Sequence, residues 1–313
     1  MEIIKGIENL TDPYPNTVLT IGNFDGVHLG HRKILSLVLS EAQRIKGTSM
    51  VMTFDPHPMK VLAPERNVPL LVTFEEKCRL IEKTGIEVLL CMPFTKDFAN
   101  MLPDDFIKNI LVDRINSKVV IVGSQYKFGR SKKGSIDLLR RRGRKYGFSV
   151  HAVRHAKLQG HIVSSSTIRA LLMKGAVAEV SKFLGRAYSI KGTVVRGKGR
   201  GQEILHIPTA NITTPVEIAP KEGVYAVRIR RHGRVYDGVA NIGRNPTFGD
   251  SDVSYEVHIF DFSGDILGED LRVFFIDRIR SERTFPGSES LEKQIREDIA
   301  RAREILKRAH PDL

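Results

Sequence analysis

The sequence predicts an α/β chain in two parts: a parallel-sheet unit, then a small antiparallel β-barrel with a C-terminal helix. Three observations carry this expectation. Between residues 18 and 155, short apolar β-prone runs alternate with helical stretches, the pattern of βαβ units. After about residue 188 the pattern changes to closely spaced alternating strands, which suits a small barrel. The length of 313 residues leaves room for two cores, since a single core rarely grows past ~250–300 residues.

Val18–Ile21 (VLTI) is the first apolar strand of the alternating region. Gly22-Asn23-Phe24-Asp25-Gly26 is turn chemistry, with glycines free to take backbone angles closed to other residues. Ile34, Leu35, Val38 and Leu39 then recur at helical spacing, predicting a helix over 33–45. His28 and His31 stand three residues apart at its entrance. That spacing puts both imidazoles on one face, beside free backbone N–H groups and the positive end of the helix dipole. Such a corner suits a nucleoside triphosphate, because imidazoles stabilise charge building on phosphate oxygens while glycines let the backbone approach.

The alternation continues with a strand over 49–54 that ends in Asp55-Pro56-His57-Pro58, a helix over 74–84 and a strand over 87–92. A helix over 103–110, a very apolar strand over 119–122, a basic helix over 135–146 and a strand over 149–153 complete it. Ligands of such sheets bind at the carboxyl ends of the strands. His28 and His31, His57 and Gly123 all follow predicted strands and are expected at one site.

Gly175 to Tyr188 reads as a short helical hinge between the halves. Beyond it, 223–229 and 235–242 flank Arg231-His232-Gly233 as a hairpin with a glycine turn. Tyr255, Val257 and Ile259 alternate with Glu256 and His258, and 271–279 is a further apolar strand. Leu291, Ile295, Ile299, Ala302 and Leu306 make an amphipathic closing helix.

The formal net charge of +13 admits nucleic acid, an acidic membrane surface or small anionic substrates as partners. Single-strand binders stack bases on aromatics set within a basic groove. Here the chain has no Trp, and the run Arg140-Arg141-Arg142-Gly143-Arg144-Lys145 meets no aromatic before Tyr146. A nucleic-acid-binding protein is therefore the non-enzymatic alternative, with no nucleic acid expected. No apolar run approaches membrane-spanning length, and MEIIKGIENLTDPYP has neither a basic leader nor a long apolar core. Cys78 and Cys91 lack metal-ligand spacing and are expected as free thiols in a reducing cytoplasm, with no membrane association. The sequence carries no signal for oligomeric state.

His28-Leu29-Gly30-His31 resembles the HxGH signature of the nucleotidylyltransferase superfamily, and the wider GNFDGVHLGH resembles the adenylyltransferase module of bacterial bifunctional riboflavin kinase/FAD synthetases. Thr53-Phe54-Asp55-Pro56-His57-Pro58 is similar to that family's TFxPHP element, and Ser164-Ser165-Ser166-Thr167-Ile168-Arg169 to its SSTxIR element. Val122-Gly123-Ser124-Gln125-Tyr126-Lys127-Phe128-Gly129 resembles VGx[DN]FxFG, with Gln125 where Asp or Asn is usual. The second half resembles the riboflavin kinase module in Pro208-Thr209-Ala210-Asn211, Gly223-Val224-Tyr225-Ala226, the stretch from Asn241 to Phe248, Glu256-Val257-His258 and the tail over 285–298. His206 stands at a usual glycine position, and the Gly/Arg pairs of the loop from Gly197 and Lys198 sit about one residue early.

The resemblance implies a Rossmann-like nucleotidylyltransferase domain over 1–185, acting as FMN adenylyltransferase, and a riboflavin kinase barrel over 186–313. It implies ATP-dependent phosphorylation of riboflavin to FMN, then adenylylation of FMN to FAD with release of pyrophosphate. His28, His31, Arg169 and Glu256 would be catalytic, Glu256 taking the proton of the riboflavin 5′-hydroxyl. Thr209 and Asn211 would hold Mg²⁺ against the ATP phosphates. Gly22, Asn23, Phe24, Asp25, Gly26, His57, Gln125, Ser165, Ser166, Gly197, Lys198 and Asn241 would bind substrates or cofactor. Two enzymatic alternatives are a chain with only one active module and another HxGH nucleotidylyltransferase.

Overall fold

The computed structural model describes residues 1–197, 208–244 and 253–309. The chain divides into two compact units, Met1–Ser164 and Ser165–Leu313.

The first unit is a six-stranded sheet in the order β1-β4-β3-β2-β5-β6, and every pairing in it is parallel. Its strands are β1 (Glu2–Lys5), β2 (Val18–Ile21), β3 (Ser49–Asp55), β4 (Val88–Pro93), β5 (Val119–Gly123) and β6 (Ser149–Val153). The helices are α1 (Leu29–Arg44), α2 (Pro58–Leu62), α3 (Phe74–Glu82), α4 (Lys96–Asn100), α5 (Pro103–Asp105) and α6 (Ile136–Tyr146). α5 runs on as a π-helix over Phe106–Arg114.

Alternation along each central strand divides its side chains between two apolar layers. Leu19, Met50, Met52, Leu90 and Val120 face Phe106, Ile110, Leu111 and Leu139. Val18, Val51, Leu89 and Val119 face Leu35, Val38, Ala42 and Ile81. Helices thus cover both faces, the arrangement a parallel sheet requires. Side-chain oxygens start three of the helices: Thr73 accepts from the Glu76 N–H, Thr95 from Phe98 and Ser135 from Leu138. A two-residue hairpin, β7 (Lys157–Leu158) with β8 (His161–Ile162), closes the unit through Gln159 and Gly160, both at positive φ.

The second unit opens with α7 (Ser165–Met173) and α8 (Val177–Leu184). Its strands β9 (Tyr188–Val195), β10 (Ala210–Thr213), β11 (Gly223–Arg231), β12 (Arg234–Arg244), β13 (Val253–Ile259) and β14 (Asp270–Arg280) form a closed barrel in the order β10-β13-β12-β11-β14-β9. Tyr188, Ile190, Tyr225, Ile242, Tyr255, Val257 and Phe275 are buried strand residues. α9 (Ser288–Arg308) covers an outer patch of Val224, Ala226, Val239 and Phe260 with Ala302 and Leu306. One polar tie fixes that helix. Arg280 meets the buried Asp298 carboxylate through three N···O contacts of 2.7 to 3.0 Å, and Gln294 donates to the same carboxylate at 2.9 Å. Removing one partner of such a pair typically costs ~3–5 kcal/mol, because the other charge is left buried alone.

Candidate active sites

In the first unit the site begins where the chain leaves β2. β3 and β4 are laid down on one side of β2, and β5 and β6 on the other, so the β2/β5 boundary is the topological switch point of the sheet. Open α/β sheets bind ligands there, beyond the carboxyl ends of the strands. The turn over 22–26 stands at that point, with Phe24 at φ 49°, Gly26 at φ 80° and Val27 at φ 40°. Positive φ is costly for Phe and more so for β-branched Val. Burial of both side chains, at 1% exposure each, holds them there. Asp25 is also buried, and its carboxylate accepts the Leu71 N–H at 2.9 Å. A Cβ on Gly26 would lie 2.7 Å from Leu71 Cδ1, so this position requires glycine on two counts.

His28 is the N-cap of α1, its Nδ1 accepting the His31 backbone N–H at 3.2 Å. An Nδ1 that accepts carries no proton, so the neutral His28 ring presents Nε2–H as its donor. The two imidazoles stack at 3.6 Å with 13° between their planes, and Phe24 leans on His31 at 5.1 Å. Gly30 makes the stack possible: a Cβ there would press on the His28 ring at 3.1 Å and on the Val163 carbonyl at 3.3 Å. His31 Nδ1 is buried and has no hydrogen-bond partner among the described residues. Burial first, then His28 and Lys77, drive the His31 imidazole well below the ordinary histidine range.

His57 follows β3 as expected and is buried, capping α2 through an Nδ1 that accepts the Met59 N–H at 3.1 Å. Gln125 lies in an exposed turn directly after β5, at the other lip of the switch point, where Tyr126 N–H donates to Gly123 O at 2.9 Å. Gly22 donates its N–H to Met52 O at 3.1 Å, tying the glycine turn to β3. Ser165, Ser166 and Arg169 stand in the first turn and a half of α7, in the second unit, with Ile168 and Leu172 on its buried side.

In the second unit the strand register assembles a polar row. Glu256 on β13 is the direct partner of Asn211 on β10 and of Asn241 on β12. Direct partners on neighbouring strands share a face. Tyr255 and Val257 point inward, so Glu256 is exposed, with half-exposed Asn211 and Asn241 flanking it. Thr209 precedes Asn211 by two residues and is exposed. The His258 ring donates from Nδ1 to Pro208 O at 2.9 Å, tying the strand of Glu256 to the segment of Thr209. Asn211 also lines a cavity of about 520 Å³ with Arg196, Gly197, Thr213, Glu217 and Tyr255. A Cβ on Gly197 would collide with the Asn211 amide at 1.9 Å. Lys198, His206 and the stretch 245–248 lie outside the described residues.

The sequence reading passed over three features. Lys77 on α3 is buried and reaches Asn23 O, Thr53 Oγ1 and Phe54 O, the strand ends of the first site. Its signal was a lysine at an inward position of an apolar stripe, between Phe74 and Ile81. Glu282 lies close enough to Glu256 and Glu222 that burial and both carboxylates push its own carboxyl up. Finally, rings link in a chain from Phe94 and Phe54 through Phe98, Phe106 and Phe128 to Tyr126. These come from four separate segments, so only folding aligns them.

A switch-point turn bearing stacked histidines, in one chain with a barrel bearing an amide–carboxylate row, defines a two-module transferase. The family model described as FAD synthetase matches residues 11–167, and the one described as riboflavin kinase matches 184–306. Bifunctional riboflavin kinase/FMN adenylyltransferases of Buchnera aphidicola (from Acyrthosiphon pisum) and Escherichia coli K12 are 37% and 35% identical to it. The first covers 96% of each chain and the second 98%. A crystal structure described as a macrolide-efflux protein from Streptococcus pneumoniae matches with a TM-score of 0.89 at 28% identity, covering 99% of this chain and 100% of its own. Among the described residues, no helix is long and apolar enough to cross a membrane. The chain belongs to the bifunctional riboflavin kinase/FMN adenylyltransferase family.

Proposed function

We infer that this chain makes FAD from riboflavin in two ATP-dependent steps. In the first, the riboflavin 5′-hydroxyl attacks the γ-phosphorus of ATP, giving FMN and ADP. In the second, the FMN phosphate attacks the α-phosphorus of another ATP, forming the phosphoanhydride of FAD as pyrophosphate leaves. The observation that carries this reading is the presence of both constellations in one chain, each inside the matching family segment. The functional boundary proposed at 185/186 follows the end of the first match at 167 and the start of the second at 184.

In the kinase step Glu256 accepts the proton of the attacking hydroxyl. The residues fit a hard cation, since exposed Thr209 and half-exposed Asn211 offer oxygen donors and Glu256 a neighbouring charge. Mg²⁺ held by Thr209 and Asn211 would neutralise charge on the ATP phosphates. Gly197, Lys198 and Asn241 bind the nucleotide or flavin, as the family resemblance implies. In the adenylyl step no protein nucleophile is needed, so the work is positioning and charge stabilisation. His28 offers Nε2–H to a phosphate oxygen and His31 stacks behind it; Ser165, Ser166 and Arg169 are assigned to the triphosphate by the family resemblance of their motif alone. The turn over 22–26 and His57 complete the proposed site. The part-exposed rings of Phe94, Phe98 and Tyr126 offer an apolar surface for the flavin ring.

Nucleic acid is not proposed as a partner. Within the arginine run, Arg142 is paired with Asp104 at 2.6 Å and Arg140 with Asp137 at 3.6 Å, as on a solvated helix face. Cytoplasmic residence is proposed alongside, the two cysteines being buried and unpaired.

The test is direct. The protein is incubated with riboflavin, ATP and Mg²⁺, and the flavins are resolved by chromatography, with FMN and then FAD expected to appear. No FMN from riboflavin and no FAD from supplied FMN would overturn the reading.

Position 125 makes a finer test. Gln carries its amide oxygen one methylene further out than Asn, with one more bond to immobilise and no charge. Its oxygen meets a hard cation less readily than a carboxylate would. Gln125→Asp or Gln125→Asn should therefore lower the Mg²⁺ needed for FAD formation, or raise its rate, without touching FMN formation. Superimposable Mg²⁺ titrations of wild type and both variants would remove this residue from the metal.

A further inference from the structure

We propose that Lys77 is a positioning residue of the adenylyl-transfer site: its buried ammonium pins the glycine turn after β2 to the end of β3 and sets the field around His31. The proposal rests on the reading of that site as the place of FAD formation.

Lys77 is 7% exposed, on a helix whose Cys78, Leu80 and Ile81 are also buried. Lysine is almost never buried to this degree, and a filler at such a position would be apolar. Instead the ammonium meets three neutral oxygens: Asn23 O at 3.4 Å, Thr53 Oγ1 at 3.2 Å and Phe54 O at 3.3 Å. Thr53 also donates to Asn23 O at 3.3 Å, which closes the junction. All three acceptors lie on two segments of the proposed site, the turn over 22–26 and the end of β3 that leads to His57. Pulling them onto one centre fixes the distance between those segments.

The charge itself is the second part of the argument. No ion pair of Lys77 occurs among the described residues; the Phe74 ring lies 5.2 Å from the nitrogen. The groups that act on it electrostatically are Asp25 of the turn, Asp55 at the end of β3, Cys91 of β4 and Cys78 of α3. Burial lowers its pKa, and the two aspartates oppose that shift. The groups around His31 are His28 from the helix entrance, Lys77 from α3 and the Phe24 ring. Burial, His28 and Lys77 all favour an uncharged His31. A cation fixed behind the turn favours the arriving anion without adding a protonated imidazole at the phosphates. Structural lysines also exist in cores, so the decisive readouts must go beyond stability.

Lys77→Met, in the full-length chain, keeps the stem and removes the charge. Expected are a ~10–100-fold loss in kcat/KM for FAD formation, the size that small misplacements cause, and unchanged FMN formation by the barrel. The acid limb of the FAD pH profile should move up, while burial and His28 still hold His31 below the ordinary histidine range, and Lys77→Arg should restore it. A lysine that only stabilises the fold would lower the unfolding midpoint and leave that limb in place, which overturns the proposal. A histidine titration of the wild type by NMR stands apart from any variant's folding. His31 titrating at or above the ordinary value would also overturn the proposal. If the wild type makes no FAD, the reading of the site fails. If it does and Lys77→Met matches it in rate and pH profile, only the role of Lys77 fails.

Discussion

Glu256→Gln is expected to lower FMN formation from riboflavin ~10²–10⁴-fold, the usual worth of general-base assistance, while FAD formation from supplied FMN survives. The substitution keeps the shape and a hydrogen-bonding end in the row beside Asn211 and Asn241. It removes only the ability to take a proton. Because Glu256 is exposed on the outer face of β13, the barrel core of Tyr255, Val257 and Ile259 is untouched and stability should change little. Both rates are read from one chromatographic assay, started from riboflavin or from FMN. A parallel fall of both reactions would contradict the assignment of the two steps to separate modules.

The alternation that suggested a parallel sheet was legible because strands buried on both faces read as continuous apolar runs, as in β3 and β4. β1 escaped notice because only Ile4 of its four residues is buried, leaving no period to read. β9 carried a usable signal, with Tyr188, Ile190, Gly192 and Val194 facing inward in strict alternation. Gly192 masked it, since glycine in a strand resembles a turn. Here it permits close approach: a Cβ would stand 2.3 Å from the Thr213 carbonyl on the neighbouring β10. The Gly175 to Tyr188 hinge resolves into α8, whose Val177, Val180, Phe183 and Leu184 are buried.

Motif residues clustered in the sequence were easy to find, and the register of the barrel explains why those far apart also meet. Asn211, Asn241 and Glu256 come from three strands and are brought into one row by pairing alone. Lys77 and Glu282 belong to no motif. One declares itself only when the apolar stripe of α3 is found to contain a cation, the other only when separate segments bring carboxylates together. Burial and electrostatic neighbourhood are tertiary properties, and these two residues are defined by them.

His31→Ala is expected to cut FAD formation ~10²–10³-fold, the range for losing one preorganised group at developing charge, and to leave FMN formation intact. His28 needs two variants, because it has two roles. His28→Ala also removes the acceptor that caps α1, a loss worth about 0.5–2 kcal/mol for N-cap side chains. His28→Asn retains a capping oxygen for the His31 N–H while removing the imidazole. The two should therefore lose FAD formation alike and differ in unfolding midpoint, with His28→Asn the more stable. Acidification supplies an independent check. His31 has its pKa held below the ordinary value, so it stays uncharged until the pH has fallen well under 6.5, and the stack with His28 persists to that point. The part of FAD formation that depends on an uncharged His31 should persist down through pH 6.5 and fall only below it. Unchanged FAD formation in His28→Asn and His31→Ala would return both imidazoles to a capping and packing role at the start of α1.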